Sequence, residues 1–323
     1  KEEKKNKLIK ILIISFVSLL IILIFILALT NKGDRLNIDM TGSYEYGGYK
    51  NEYYFIKDNN LYAYKGDNLR YVIKVKDDSK FSVDKRNLYL SMDNNLYIFD
   101  KKEAKEKETV NFDSKIYNIE IIDDKKIIYM ENSLIVLDEN NSILEEYKVD
   151  GVAIDYTKGE ATNILGINKD ILSNFKIYKS PDEKILEIST GELLIYDQYI
   201  DERRHILASD KAIYLYDLDK LVKRIGITKL NGIDIDEEEV AILDGRTLLT
   251  YDKDLNILDK RDVDFDGYKL IYQEDEIYIL SNNQVYIYSE EVDKGIKTID
   301  AKDIFSNGED IYLIYKDGME RYR

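Results

Sequence analysis

The sequence predicts an all-β protein, a β-propeller of eight four-stranded blades, preceded by one transmembrane α-helix. Three observations support this prediction. The first is an uncharged and strongly apolar stretch at residues 11–29. The second is a sequence landmark that recurs every 34 to 41 residues through the rest of the chain. The third is that each end of this repeat array carries an incomplete unit, and the two parts together would complete one blade.

Residues 11–29 have the properties of a membrane-spanning helix. They contain no charged residue, and only Ser15 and Ser18 are polar. A helix of this length is about 28 Å long, close to the thickness of about 30 Å of a bilayer's hydrocarbon core. Lysines are concentrated before the stretch, so the positive-inside rule places the N-terminus in the cytoplasm. We therefore predict a cytoplasmic stub at residues 1–10, a transmembrane helix at 11–30 and an extracytoplasmic propeller at 35–323.

A cleaved signal peptide is the alternative for this N-terminal segment. Its apolar region would normally be shorter, about 7–15 residues, and Ala28-Leu29-Thr30 is a poor version of a cleavage site. The sequence therefore favours a single-pass anchor in the cell membrane over a secreted protein.

Composition excludes several classes of function. The chain of 323 residues has a net charge of −16, and residues 33–323 alone carry −20. Such an acidic chain argues against nucleic acid as a partner, because neutralising phosphates requires a basic surface. The absence of Cys excludes disulfides, thiolate metal sites and cysteine nucleophiles, and a single His excludes a His-rich metal centre.

The repeat landmark is a short apolar run that ends in an aromatic or apolar residue followed by a polar one. A second strand and a tight polar turn, such as Asp93-Asn94-Asn95, precede most copies. A more polar strand, such as residues 143–149, follows. Four strands in about 37 residues are typical of a propeller blade. The landmark positions are Tyr64, Phe99, Leu137, Tyr178, Tyr216, Tyr251, Tyr288 and Tyr322.

Eight landmarks indicate eight blades, with seven as the alternative because residues 150–190 are irregular. The last unit stops at its third strand, whereas residues 35–40 resemble an outer strand without a unit of their own. We predict that residues 35–40 supply the outermost strand of the blade built from residues 303–323, because this pairing removes an open sheet edge.

The run from Asp244 to Asp252 resembles the core of quinoprotein-like propeller repeats, and residues 58–64 and 93–100 are looser copies. That group includes pyrroloquinoline quinone dehydrogenases and the non-enzymatic outer-membrane assembly lipoprotein. The chain has no Trp and no Cys, which departs from the dehydrogenase pattern, so the resemblance implies the fold and no cofactor. The layout is also similar to a Firmicutes family of single-pass membrane-anchored proteins of unknown function.

Residues 262–267 contain a candidate calcium site. Asp262, Asp264 and Asp266 alternate before Gly267, as at the start of a calcium loop, but Leu270 and Gln273 stand where further ligands belong. An exposed turn between blades is the alternative interpretation.

Two other acidic or titratable features are interpreted as structural. The acidic residues at 234 and 236–239 are expected to form a solvated loop, and His205, which has no partner identifiable from the sequence, is expected to be structural.

The sequence favours a non-enzymatic binding or scaffold module in the cell envelope, with a protein or cell-wall partner. The evidence is a large β platform, a tether and no recognisable nucleophile–base set. A propeller enzyme is one alternative, either a hydrolase that uses paired carboxylates or a relic oxidoreductase. It would require acidic residues near the axis with shifted pKa values. An extracellular sensor is the other alternative.

Overall fold

The computed structural model describes residues 35–168, 173–189, 191–237, 239–289 and 297–322. Within these ranges, no helix has the length and hydrophobicity that crossing a membrane requires. The predicted stub at residues 1–10 and the predicted transmembrane helix at 11–30 lie outside the described residues.

The described residues form thirty strands. The first nine are β1 (Arg35–Asn37), β2 (Glu45–Tyr49), β3 (Glu52–Lys57), β4 (Asn60–Lys65), β5 (Asn68–Lys74), β6 (Lys80–Val83), β7 (Asn87–Met92), β8 (Asn95–Asp100) and β9 (Lys105–Asn111). The next six are β10 (Ile116–Ile122), β11 (Lys125–Leu137), β12 (Ile143–Lys158), β13 (Thr162–Ile167), β14 (Ser173–Ser180) and β15 (Glu183–Ser189).

The remaining strands complete the ring. They are β16 (Leu194–Tyr199), β17 (Arg204–Ser209), β18 (Ala212–Asp217), β19 (Lys220–Gly226), β20 (Leu230–Asp236), β21 (Glu239–Asp244), β22 (Thr247–Tyr251), β23 (Ile257–Asp262), β24 (Lys269–Gln273), β25 (Glu276–Ser281), β26 (Gln284–Ser289), β27 (Lys297–Asp300), β28 (Asp303–Ser306), β29 (Ile311–Tyr315) and β30 (Gly318–Arg321).

These strands form antiparallel sheets in which consecutive strands are neighbours, as tight hairpins require. Six sheets have four strands each: β2–β5, β6–β9, β16–β19, β20–β23, β24–β27, and β28–β30 with β1. Asn and Asp occupy the hairpin turns because they tolerate positive φ; Asn282 and Asn283, at φ 47° and 64°, are examples. The expectation of a β-propeller built from four-stranded blades is confirmed.

The predicted closure of the ring is also confirmed. β1 pairs antiparallel with β30, with Arg35 opposite Glu320 and Leu36 opposite Met319, and β1 is the outermost strand of that sheet. The regular strand covers only part of the predicted residues 35–40, but the main-chain N–H groups of Ile38 and Met40 continue the contact by donating to Asp317 and Lys316 carbonyls.

The prediction of eight separate blades is wrong, because the described strands form seven sheets, the alternative number. The difference lies between residues 116 and 189, where β10–β15 form one six-stranded sheet. β11 and β12 are long strands, and each pairs with one neighbour over its first part and with another over its second part. Glu131 pairs with Val152 at a point where a break between units was expected. Two repeats of the sequence pattern therefore share one sheet.

Buried apolar side chains join each sheet to the next. Leu36, Tyr53 and Met319 belong to a cluster between the first and last sheets. Another cluster, which includes Tyr129 and Tyr156, lies between the two halves of the six-stranded sheet. Among the described residues these clusters continue around the ring, so the core is distributed between sheets rather than concentrated at one point.

The ring has two faces, which main-chain hydrogen bonds between turns define. On one face, the ends of outer strands contact the turns that join second and third strands, as where Val75 N–H donates to the Asn59 carbonyl. The innermost strands begin at this face, which we call the entry face. On the opposite face, called the far face, the turns at residues 50–51 and 66–67 meet through Gly66 N–H and the Asn51 carbonyl.

Closure of the ring predicts a large difference between two Leu→Ala substitutions. Leu36 on β1 is 1% exposed and packs against the neighbouring sheet, whereas Leu69 on the outer strand β5 is 51% exposed. Leu36→Ala should lower the free energy of unfolding by about 2–5 kcal/mol, as removal of a buried leucine side chain usually does. Leu69→Ala should lower it by well under half of that amount. Chemical denaturation of both variants measures the difference. Equal losses would show that β1 does not hold the ring together.

Candidate functional site

Four consecutive innermost strands share a local irregularity near the entry face. Close to its start, each of these strands shifts register by one residue relative to the strand with which it pairs next. The four strands are β10, the second half of β12, β16 and β20. Such a β-bulge contains one extra residue and re-aims its side chain. The extra residues are Tyr117, Ile154, Ile195 and Asn231. The innermost strands β2, β6, β24 and β28 show no such shift.

Three of the four bulge residues are large, apolar and exposed. Tyr117, Ile154 and Ile195 are 37%, 39% and 42% exposed, although they lie on the innermost strands of the ring. Side chains of these types are normally buried, so their exposure in three consecutive units marks an apolar surface. We call Tyr117, Ile154, Ile195 and Asn231 the bulge arc.

An axial cavity of about 480 Å³ lies beside one end of the bulge arc. Side chains and main chain of β28, β2, β6 and β10 line it, including Glu45, Ser82, Asn118, Glu120 and Phe305. The Lys80 ammonium lies 2.6 Å from Glu45 Oε2, so the chain itself compensates this carboxylate. Glu120 also lines this cavity, but its hydrogen-bond partners are neutral groups.

Acidic residues follow the bulge arc on the same four strands, one to three residues further along. We call this set the carboxylate row; its members are Glu120, Asp155, Asp197 and Asp234.

Glu120 accepts hydrogen bonds from neutral donors. Its Oε2 accepts from the Tyr129 hydroxyl at 2.6 Å and its Oε1 from the Asn118 amide at 3.1 Å. Burial raises the pKa of Glu120 despite these two hydrogen bonds. A proton on this carboxylate is therefore easier to retain than on an exposed glutamate.

Asp155 links two neighbouring sheets. Its Oδ1 accepts a hydrogen bond from the main-chain N–H of Tyr156, in the same strand, at 2.9 Å. Its Oδ2 accepts one from the main-chain N–H of Asp197, on β16, at 3.2 Å. Burial, together with the nearby Asp197 and Glu120 carboxylates, raises the pKa of Asp155 to about 8. Asp155 is therefore mainly protonated at neutral pH.

Asp234 repeats this arrangement two units further around the ring. Its oxygens accept N–H groups from Ile235 and, across the boundary to β24, from Tyr272, both at 2.9 Å. The Tyr196 hydroxyl lies 3.4 Å from Asp234 Oδ1. Burial raises the pKa of Asp234 to about 6, so its carboxylate is mainly ionised at neutral pH.

Asp197 is the member of the row that contacts a histidine. Its Oδ1 lies 2.7 Å from His205 Nδ1, and His205 Nε2 lies 3.1 Å from the Leu218 carbonyl oxygen. Both ring nitrogens therefore lie within hydrogen-bond distance of an oxygen atom, which fixes the orientation of the imidazole ring. His205 is 0% exposed and stacks on Phe175 and Tyr216. Asp197 is the partner that sequence reasoning did not identify, and the structural role of His205 stays a prediction.

The predicted acidic loop at residues 234–239 is wrong in part. Asp234 and Asp236 lie in β20, Glu239 begins β21, and Glu237 lies in the turn between them. A run of acidic residues suggested a solvated segment, but Asp234 is accommodated inside the ring because N–H groups of two sheets point at its oxygens.

The candidate calcium residues lie on the entry face between β23 and β24. Asp262 ends β23 and accepts from the Thr247 hydroxyl at 3.2 Å, while both oxygens of Asp266 accept from the Arg246 guanidinium at 2.9 and 2.7 Å. In the described part of the chain, no three His, Cys, Asp or Glu side chains are grouped to hold a metal ion. Arg246 occupies one acceptor position on each Asp266 oxygen, and calcium binding by Asp262, Asp264 and Asp266 stays a prediction.

Comparison with known proteins identifies the fold. No known protein family and no curated protein matches the sequence. Among solved structures, BamB from Moraxella catarrhalis is similar with a TM-score of 0.59 and 10% identity, covering 89% of this chain and 97% of BamB. The expected likeness to the outer-membrane assembly lipoprotein is therefore confirmed at the level of fold.

Two further solved structures support the same conclusion. Saccharomyces cerevisiae Sqt1 matches with a TM-score of 0.67 and 10% identity over 90% of this chain and 97% of that one. The WD40 β-propeller domain of Doa1 matches with a TM-score of 0.53 and 12% identity over 79% and 95%. At such low identities the likeness concerns the β-propeller fold alone.

The raised pKa of Asp155 predicts a specific pH dependence of stability. The folded chain retains a proton that the unfolded chain releases above about pH 4, so the free energy of unfolding should fall as the pH rises from about 4 to about 8. Asp155→Asn removes this titration while keeping one acceptor oxygen. Melting temperatures measured between about pH 5 and about pH 8 should decline less for Asp155→Asn than for the original chain.

The matched control for this measurement is Asp113→Asn, because Asp113 is exposed on the surface of the ring. Its melting curve should follow the original chain at every pH. If Asp155→Asn also follows the original chain, Asp155 does not hold an extra proton in the folded state.

Proposed function

We propose that this chain is a membrane-anchored, extracytoplasmic binding module that holds a protein partner at the entry face of its propeller. The bulge arc is the observation that carries the proposal. A chain gains nothing for its own stability by exposing Tyr117, Ile154 and Ile195 at consecutive positions around its axis. A contacting partner that covers them would remove this apolar surface from water.

Other exposed side chains extend the apolar surface beyond the bulge arc. Tyr44, Leu193 and Tyr268 are exposed, and each directly precedes an innermost strand at the entry face. Aromatic residues are enriched in protein interfaces, where they supply large contact areas at low entropic cost. A surface distributed over several units is suited to a protein partner more than to a small ligand.

The course of β1 supports an orientation for an anchored chain. Residues 38 and 40 bond to the turn at residues 316–317 on the entry face, and Arg35 lies further from that face, opposite Glu320. From Arg35 to Met40 the chain therefore runs toward the entry face. With the proposed anchor at residues 11–30, the bulge arc would point away from the membrane, toward the cell wall or toward partners that extend beyond the bilayer.

A hydrolase is a second candidate function, because the carboxylate row has the shifted pKa values that such chemistry requires. A protonated Asp155 and an ionised Asp234 at neutral pH would be suited to acid and base roles. Hydrolysis of chromogenic glycosides by the purified chain, lost in Asp155→Asn and Asp234→Asn, would support this candidate. The inter-sheet N–H donors that occupy both carboxylates favour a structural role instead.

Site-specific photo-crosslinking tests the binding function in the cells from which the chain comes. A photoreactive amino acid at Ile154 or Ile195 should produce a discrete crosslinked species with a protein partner. The matched control is Leu221, an exposed aliphatic residue on the outer strand β19. Crosslinks that are absent at Ile154 and Ile195, or equally strong at Leu221, would contradict the proposal.

A further inference from the structure

We infer that the partner segment at the bulge arc carries a lysine or arginine next to its apolar contact residues. This inference rests on the proposed function and specifies the chemistry of the partner. It combines the exposed apolar side chains of the arc with the negative charge that lies behind them on the same strands.

The first step is the distribution of charge behind the arc. Among the described residues, the hydrogen-bond donors to Glu120, Asp155 and Asp234 are neutral: main-chain N–H groups, tyrosine hydroxyls and an amide. Asp197 differs, because the His205 imidazole lies 2.7 Å from its Oδ1. No cationic side chain of the described ranges therefore pairs with Glu120, Asp155 or Asp234. Asp234, which is mainly ionised at neutral pH, places negative charge behind the arc, within a domain whose net charge is strongly negative.

The second step is distance. Successive residues of a strand are about 3.3 Å apart, and Asp155 directly follows Ile154 in the bulge. Asp234 lies three residues after Asn231, at about 10 Å along β20. A partner that contacts Ile154 and Ile195 with apolar groups therefore has carboxylates within reach of a long cationic side chain.

The third step is complementarity. At neutral pH Asp234 is mainly ionised, and an approaching cation favours the ionised form of Asp155 as well. An acidic segment would be repelled by the like charge at this position. The surface therefore discriminates against acidic partners more strongly than apolar contacts alone would. A neutral apolar segment would leave the negative charge of the row without a partner.

Three synthetic peptides with the purified full chain test this inference. Each repeats a Leu-Xaa pair between Gly-Ser spacers, where Xaa is Lys, Ser or Glu. Fluorescence anisotropy with labelled peptides should give the tightest binding for the Lys peptide, about tenfold tighter than the Ser peptide at low salt. The Glu peptide should bind most weakly.

Two variants assign the preference to the carboxylate row. Glu120→Gln and Asp234→Asn should reduce the Lys-over-Ser preference at least threefold, while Glu139→Gln should leave it unchanged. Glu139 is an exposed acid in the far-face turn that follows β11, so this control removes the same charge elsewhere. If Glu120→Gln destabilises the chain, Asp234→Asn alone decides the result.

The outcomes separate this inference from the proposed function. Equal binding of the Lys and Ser peptides, with both lost in Ile154→Ser, would overturn the inference about charge and leave the binding surface intact. A Lys preference unaffected by both carboxylate variants would likewise overturn it. Absence of binding by every peptide, despite crosslinking at Ile195 in cells, would exclude short basic-apolar segments as the partner class. Binding of a (Gly-Ser-Ser-Lys) peptide as tight as that of the Leu-Lys peptide would indicate a free cation site and would also contradict the inference.

Discussion

The pairing of β1 with β30 is the interaction on which the rest of the structure depends. Without it, the last sheet would have three strands and β30 would be an unpaired edge. No other strand of the described residues lies where it could replace β1 in this sheet. Leu36 then packs into the cluster between the first and last sheets. Across the same boundary, the Tyr312 ring lies against Gly48, where a side chain would collide with it. Closure therefore fixes the spacing of the innermost strands, and this spacing positions the groups at the axis.

The carboxylate row and the bulge arc are two consequences of one backbone arrangement. The bulges near the starts of three innermost strands expose Tyr117, Ile154 and Ile195. In β12 and β20 the acid that follows the bulge accepts an N–H group from the next sheet. Asp155 and Asp234 each accept an N–H group from their own strand and one from the neighbouring sheet. These bonds offset part of the cost of burying a carboxylate. The same positions thus stabilise contacts between sheets and place negative charge behind an apolar surface.

Residue spacing was sufficient to predict the repeat unit and the closure, because both follow from local hydrophobic patterns and from an unpaired strand at each end. The number of sheets was not predictable in this way. Nothing in the local pattern around Glu131 and Val152 shows that these residues pair and join two repeats into one sheet. The role of Asp234 was missed for a similar reason: the N–H group of Tyr272, 38 residues further along, accommodates it, and an acidic run by itself indicates a solvated loop. The available signal was the recurrence of one acid before the most hydrophobic strand of four successive units, with apolar residues on both sides of it in three of them.

An engineered disulfide tests the closed ring most directly. The chain contains no cysteine, so two introduced thiols can pair only with each other within one molecule. Arg35 and Glu320 are directly opposite in the β1–β30 pair, a position from which a disulfide can form without movement of the backbone. Arg35→Cys combined with Glu320→Cys should oxidise completely within the monomer, as mass spectrometry under non-reducing conditions would show. Thiols that remain free, or that form only intermolecular bridges, would contradict the closed ring and the site that depends on it.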